Sequence, residues 1–254
     1  MLIAIQVKLL QRLFRLPKGG ETAYETRTKV VRFLGETFLQ SIAGKTVIDF
    51  GCGEGDGAVE LARGGAKRVI GIDIREEALR AARQKAAASG VDHVCSFMQQ
   101  TQEHADVIIS LDAFEHFAEP AAVLQMMNTL LKAEGEVVAS FGPTWYHPLG
   151  GHSFSFLPWA HLIFSEEALI GWRSGFKSDG ATRFREVPGG LNQISIRKFE
   201  RIVAGSPFQF ASLEAVPIRK LRWFHNRFTR EFTSAVVRCR LVKREVPTKS
   251  RATA

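Results

Sequence analysis

The sequence predicts an α/β protein built on a doubly wound, mostly parallel sheet. Five short apolar runs, at 47–50, 67–73, 92–98, 105–110 and 136–141, alternate with helix-like segments. That is the pattern of successive strand–helix–strand units. The first run, Val47-Ile48-Asp49-Phe50, enters a turn with glycine at alternate positions: Gly51, Gly53, Gly55 and Gly57. The second run ends in an acid, Asp73, which lies 20 positions after Gly53.

Taken in order, residues 1–16 place Leu2, Ile3, Ile5, Leu9, Leu10 and Leu13 at roughly helical spacing. Lys8, Arg12 and Arg15 supply charge with no balancing acid, and Pro17-Lys18-Gly19-Gly20 stops the segment. Residues 1–20 therefore read as an amphipathic N-terminal helix. Such a helix lies on an anionic membrane or docks on its own domain or on a second subunit; the residues leave both readings open. Residues 21–40 read as a second helix with Val30, Val31, Phe33, Leu34, Phe38 and Leu39 on its apolar side.

Ala58 to Ala62 opens a helix after the glycine turn, and 76–89 is alanine-rich and helical until Gly90. Residues 112–117 read as a loop or short helix. Pro120 suits a first helical turn, and that helix runs to about Lys132. Residues 165–172 and 192–204 read as helices, and 208–216 and 235–242 as the sixth and seventh strands. The connection 217–233 mixes Arg219, Lys220, Arg222 and Arg227 with Trp223, Phe224 and Phe228. It suits RNA, a membrane surface, a partner or a solvated helix with one packed face. Residues 244–254 form a polar tail expected to be disordered.

Glycines are needed where a ligand must approach the main chain, so the 51–57 turn is a candidate ligand loop at the carboxyl end of a parallel strand. A dinucleotide loop has the pattern G-x-G-x-x-G, but here the sixth position is Asp56. Asp49, Glu54 and Asp56 also put three carboxylates at the turn. Pyrophosphate binds a helix N-terminus because free N–H groups favour anions; carboxylates there repel it and suit a ligand with an ammonium or sulfonium group. Asp56 could equally cap the helix. Asp73 stands near the offset of about 20 residues at which an acid reaches ribose hydroxyls.

Composition sets wider bounds. The 254 residues are 45% hydrophobic, enough for a sizeable core, and the formal net charge is +8. That charge permits nucleic acid, a membrane or an acidic substrate and selects none of them. Cys52, Cys95 and Cys239 are odd in number and widely spaced, which points to a reducing, cytoplasmic compartment without a disulfide framework. No run approaches the length of a transmembrane helix, and no signal peptide pattern is seen.

The stretches VIDFGCGEG, VIGIDI, ADVIISLDAFEHF and LLKAEGEVVASF together resemble class I S-adenosylmethionine-dependent methyltransferases. The resemblance is strongest to the broad small-molecule, type-11-like group that includes quinone-biosynthesis enzymes. It covers Lys45 to Phe141 and, more loosely, the chain to Val242. It implies a Rossmann-like seven-stranded sheet, mostly parallel, with strand seven antiparallel beside strand six, in a domain spanning residues 21–243. It implies S-adenosyl-L-methionine as cofactor; no metal is expected, because the spacing of the histidines and cysteines matches no recognised metal motif. By the same resemblance, Gly51, Gly53 and Gly55 lie beside the methionine part, and Asp49 orders the loop and the ammonium end. Asp73 takes the ribose hydroxyls, Ile74 packs on adenine, and Leu111 and Asp112 back the methionyl group. Gln99 stands where the family often has an acid for the adenine amino group. His116 matches a histidine common in the group, structural or catalytic.

The sulfonium is already an activated methyl donor, so the protein must chiefly align an acceptor and, for oxygen or nitrogen, accept a proton. In the resembled family the segment after strand five covers the acceptor site. Here 142–190 is rich in aromatic residues and histidine, which implies a small acceptor with an apolar or ring-containing part, oxygen being the preferred atom. The same aromatics also suit the core of a capping subdomain. Tyr146, His147 and His152 are the residues placed nearest the methyl group, with His147 or His152 as a general base. An RNA methyltransferase is a rival favoured by charge, though no Asn-Pro-Pro-Tyr signature follows strand four. A non-catalytic cofactor-binding scaffold and a nicotinamide-dependent oxidoreductase are the others; the acidic loop argues against the last. Peripheral membrane contact is assigned to residues 1–16, and the oligomeric state stays open.

Overall fold

The computed structural model describes residues 2–13, 29–154, 157–177, 180–186 and 190–245. Its elements run α1 (Leu2–Leu13), α2 (Lys29–Leu34), α3 (Glu36–Ser41), β1 (Thr46–Phe50), α4 (Asp56–Arg63), β2 (Arg68–Ile72) and α5 (Glu76–Ala88). They continue with β3 (Cys95–Met98), β4 (Ala105–Leu111), α6 (Pro120–Leu130), β5 (Leu131–Phe141), α7 (Ala160–Ile163) and α8 (Glu166–Arg173). The last are α9 (Ile196–Ala204), β6 (Phe208–Pro217), α10 (Arg230–Thr233) and β7 (Ser234–Lys243).

The seven strands form one sheet in the order β3-β2-β1-β4-β5-β7-β6. The first five are parallel: Val47 pairs with Val69 of β2 on one side and Val107 of β4 on the other. β7 runs antiparallel between β5 and β6, with Val138 opposite Arg240 and Leu213 opposite Cys239. The expected sheet, including its reversed seventh strand, is the observed one. Strand order reverses between β1 and β4, because β1 continues to β2 on one flank while β4 continues to β5 on the other. A crevice opens at such a switch point, outside the carboxyl ends of the strands.

Side chains alternate along each strand, so every central strand feeds two cores. Ile48, Ile70 and Ile108 face Leu124 and Met127 of α6 and Phe199 of α9. Val47, Val69, Val107 and Ile109 face Val30 of α2, Leu61 of α4 and Leu79 of α5. A third cluster joins Leu10 of α1 to Phe154, Leu169, Trp172 and Phe184. Much of the aromatic content between β5 and β6 is thus buried in a separate core.

Several boundaries differ from the sequence reading. The expected helix 21–40 is two short helices where described, because Gly35 takes a φ of 82° that α-helix cannot continue. Residues 21–28 of that expectation, 14–20 of the N-terminal segment and 246–254 of the tail lie outside the described residues. The helix ending expected at Lys132 stops at Leu130, since Leu131 already pairs with Ala105 in the sheet. The helix expected from Asn192 begins at Ile196: Ser195 is its cap, its hydroxyl accepting from the Lys198 amide at 3.1 Å. The β6–β7 connection holds a 3-10 turn at Arg219–Phe224 and then α10.

Buried Glu231 of α10 closes the α9 N-terminus, accepting from the Ile196 amide at 3.0 Å and the Arg197 amide at 2.8 Å. It satisfies two of the donors that a helix start leaves free. Glu231→Ala is expected to lower the unfolding free energy by about 2 kcal/mol in urea titration, and Glu231→Gln by roughly half as much.

Candidate active site

The glycine turn is held between its neighbours. The Gly51 and Cys52 amides both donate to the Ile72 carbonyl, at 2.8 and 3.0 Å, which ties the end of β1 to the end of β2. A Cβ on Gly51 would stand 3.0 Å from Ala113, just after β4, and one on Gly55 only 2.7 Å from Ala82 of α5. These two positions are glycine because the loop is pressed on both flanks. Gly53 is different: the only atom within 4 Å of an added Cβ is a guanidinium nitrogen of Arg75, at 3.7 Å. Its face is open except for one movable side chain. Gly55, not an acid, caps α4, and Asp56 instead pairs with Lys85 at 2.7 Å.

Asp73 is buried at the end of β2. Its carboxylate accepts from the Gly53 amide and the Arg75 amide, both at 2.9 Å, and from the Arg75 side chain at 3.2 and 3.3 Å. The Arg75 side chain itself is 65% exposed. Next to it Ile74 is 87% exposed, an unpartnered apolar side chain at the rim of the crevice. The Gln99 amide nitrogen donates to the Ile74 carbonyl at 3.4 Å.

Asp49 stands on β1, and Asp112 directly follows the adjoining strand β4. Asp49 is buried beneath the first turn of α4, where a Cβ on Gly57 would meet its Oδ2 at 3.0 Å. Burial pushes its carboxyl up to about 7, with Lys29 opposing and Asp73 adding to the rise. Asp112 adopts a left-handed φ of 51° and its amide donates to Ser140 at 2.9 Å. Non-glycine residues held there store strain, which concentrates at functional sites. Lys29 of α2 lies 3.4 Å from the Asp112 carboxylate, so one cation serves both acids. Burial raises Asp112 while Lys29 lowers it. Leu111 has its side chain in the core and offers the crevice only main chain.

The histidines divide. His116 and His152 face each other with ring centroids 5.5 Å apart, and His116 Nδ1 hydrogen-bonds the Gly190 carbonyl at 2.7 Å. Burial, then the nearby His116, pushes His152 down to about 4. His147 Nδ1 accepts from the Leu149 amide at 2.9 Å within its own turn, and burial with His161 lowers its pKa. Tyr146 packs on Phe232, centroids 5.3 Å apart. The four expected residues therefore form one close pair, His116 and His152, with His147 held in its own turn and Tyr146 against the β6–β7 connection.

Sequence reasoning missed three groups: Arg75 on Asp73, Lys29 beside Asp112, and Glu115. Glu115 is buried, its Oε1 accepting from the Gly142 amide at 3.2 Å and its Oε2 having no partner among the described residues. Burial pushes it up to about 8. It shares a small cavity with Pro143, Trp145 and His152. The signal for it was a second acid among the apolar residues of Leu111–Phe117, a stretch that also carries Asp112 and His116.

A mostly parallel sheet with reversed strand order, a glycine turn and an acid after β2 is an arrangement found in nucleotide-binding α/β domains. Residues 42–143 match the model of a family described as a methyltransferase domain. A ubiquinone biosynthesis O-methyltransferase from Sodalis glossinidius is 41% identical over 105 residues, 38% of this chain and 41% of that protein. A ribosomal protein L11 methyltransferase from Photobacterium profundum is 44% identical over 106 residues, 40% of this chain and 35% of that protein. The solved magnesium protoporphyrin IX methyltransferase from Synechocystis, with bound SAH, shares the fold at a TM-score of 0.52 and 19% identity, covering 93% of this chain and 94% of its own. The chain thus spans half or less of the length of these two curated relatives. Residues 42–143 are similar to a methyltransferase domain, and the fold is one shared with S-adenosylmethionine-dependent methyltransferases.

The buried Asp49 gives a pH test. Its folded pKa of about 7 lies above the unfolded value of about 4, so the native state holds a proton that the unfolded chain has already released. Its contribution to stability is fully present below about pH 4 and is lost as pH rises through about 7. Asp49→Asn removes that loss. Its stability gain is expected to be near zero at about pH 4 and to grow to a plateau above about pH 7, at most about 4 kcal/mol, read from denaturation curves across that range.

Proposed function

We propose that this protein transfers a methyl group from S-adenosylmethionine to a small acceptor with an apolar or aromatic part, preferably at oxygen. The observation that carries the reading is the cradle at the switch point: the open face of Gly53, the Asp73 carboxylate beside it and the exposed Ile74 at its rim. These residues fit the cofactor. Asp73 offers two oxygens to a vicinal diol, Ile74 an apolar platform for a purine, and Gln99 a neighbouring amide. Gly51, Gly53 and Gly55 hold the main chain close enough for the amino-acid part, and Asp49 with Asp112 supplies negative charge for its ammonium group. Arg75 now fills the hydrogen-bonding positions of Asp73, so it must swing out when a ribose enters; its solvent-exposed side chain has room to do so.

When bound, the cofactor supplies the activated methyl group. What remains for the chain is to exclude water, orient the acceptor and take up a proton. In this reading the paired His116 and His152 take up the proton, and burial keeps His152 neutral at physiological pH. An imidazole in that state is a proton acceptor. His147, held in its own turn, and Tyr146, packed on Phe232, have no such pairing among the described residues. The relatives' names point to different acceptors, a quinone precursor and a ribosomal protein, although both matches cover a similar share of this chain. The acceptor class is therefore read from this chain's own aromatic segment.

The partners and compartment follow in the same spirit. α1 docks by Leu10 and by Gln6, whose side chain accepts from the Ser165 amide at 3.1 Å. Its other face leaves Leu2, Ile3, Ile5 and Leu9 exposed, and that is the face through which residues 1–16 would meet a lipid surface. Among the described residues no helix is long and apolar enough to cross a membrane. The three thiols are free and buried, in accord with a reducing cytoplasm.

Asp73→Ala is expected to weaken cofactor binding by about 1.5–3 kcal/mol, roughly 10- to 100-fold in calorimetry; unchanged affinity would remove the ribose assignment. Gly53→Val is expected to abolish binding while the far-UV spectrum stays native. The function is tested by incubating the protein with a cell extract and methyl-labelled cofactor, then separating small molecules, RNA and protein. Label is expected among the solvent-extractable small molecules. Label in RNA or protein would overturn the acceptor class, and tight binding with no transferred label would favour a scaffold.

A further inference from the structure

The segment between β6 and β7 displays apolar rings that the fold leaves uncovered. Trp223 is 83% exposed, Phe228 73% and Phe224 68%. Large rings are rarely left so open on a monomer without a role. They are not on a loose loop. The segment is closed at its base by the Ile218 amide donating to the Thr233 carbonyl at 2.8 Å. Asn226 Oδ1 accepts from the Phe228 amide at 2.8 Å and from the Thr229 amide at 3.2 Å, while the Asn226 amide donates to Thr229 Oγ1 at 3.0 Å. A polar interior of this kind fixes the turn and holds the rings outward.

Charge accompanies the rings. Residues 218–230 contain five arginines or lysines and no acid. Arg230 is spent on Glu200 at 2.7 Å, but Arg219, Lys220, Arg222 and Arg227 have no carboxylate partner among the described residues. Arg222 lies 5.2 Å from the centre of the Trp223 ring, and Arg227 4.9 Å from that of Phe228. Each of these two rings already has one of the protein's own guanidinium groups over it, which leaves less room for a stacked base. Aromatic bodies with cations beside them are instead the composition of the membrane–water interface, where rings enter the headgroup layer and arginines meet phosphate.

We propose that this turn docks the protein onto an anionic lipid surface, with Trp223, Phe224 and Phe228 entering the interface and Arg219, Lys220, Arg222 and Arg227 meeting lipid phosphates. The surface is distinct from the outward face of α1, and the proposal stands whether or not the methyl acceptor is as assigned above.

The test is co-sedimentation of the full chain with vesicles of about one-third phosphatidylglycerol in phosphatidylcholine, against phosphatidylcholine alone. The wild type is expected to bind the anionic vesicles and to release as salt rises. Two variants, W223A/F224A/F228A and R219Q/K220Q/R222Q/R227Q, are each expected to bind at least about tenfold more weakly with α1 intact. In the folded wild type, brominated lipid is expected to quench a component of tryptophan emission that Trp223→Phe removes. The proposal is overturned if both variants bind like wild type, which would place lipid contact elsewhere. It is also overturned if the wild type ignores the vesicles while retaining an RNA oligonucleotide, or while forming dimers that the ring variant loses.

Discussion

The hydrogen bond from the Gly53 amide to the Asp73 carboxylate, 2.9 Å long, is the contact on which the site depends. It joins the turn after β1 to the end of β2, two points that parallel pairing has already brought side by side. The bond fixes where the loop stops and which way the acid faces. Every other feature of the cradle is set from that junction: the open side of Gly53, the exposed Ile74, and Arg75 resting on the free edge of the carboxylate. The strand pairing supplies the distance, and the residue types supply the chemistry.

A second constraint is electrostatic. Asp49, Asp73, Asp112 and Glu115 all sit at the carboxyl ends of the central strands, and three of them are strongly buried. Acids packed so closely out of water raise one another's affinity for protons, and the directions seen at Asp49, Asp112 and Glu115 follow from burial first. Lys29 is a cation that moderates all three. A crevice carrying more acid than it can keep ionised is suited to receive a ligand that brings positive charge of its own, which is the electrostatic case for a sulfonium nucleoside over a pyrophosphate.

The strands were legible because the sheet is buried on both faces, so each central strand is a short apolar run ended by glycine or an acid, while the reversed seventh strand was expected from the family resemblance. The ligand loop was legible because glycine spacing and acid placement are local. Boundaries governed by distant partners were not. Leu131 continues the apolar pattern of α6, yet Ala105 draws it into the sheet. Asn192 was expected to open a helix, but its side chain donates to the carbonyls of Phe114 and Phe117. The pairing of His116 with His152 joins the loop after β4 to the segment after β5, and no periodicity records such a contact. Glu115 was overlooked because an unpartnered buried oxygen exists only once three segments have closed around it.

The antiparallel end of the sheet has a consequence for how the chain is made. β6 has β7 as its only partner in the sheet, and β7 is also the strand that covers the outer side of β5. A nascent chain that has emerged only as far as Pro217 therefore leaves the outer edge of β5 and the whole of β6 unpaired, and must keep them from pairing with other chains until translation delivers the single strand that joins them.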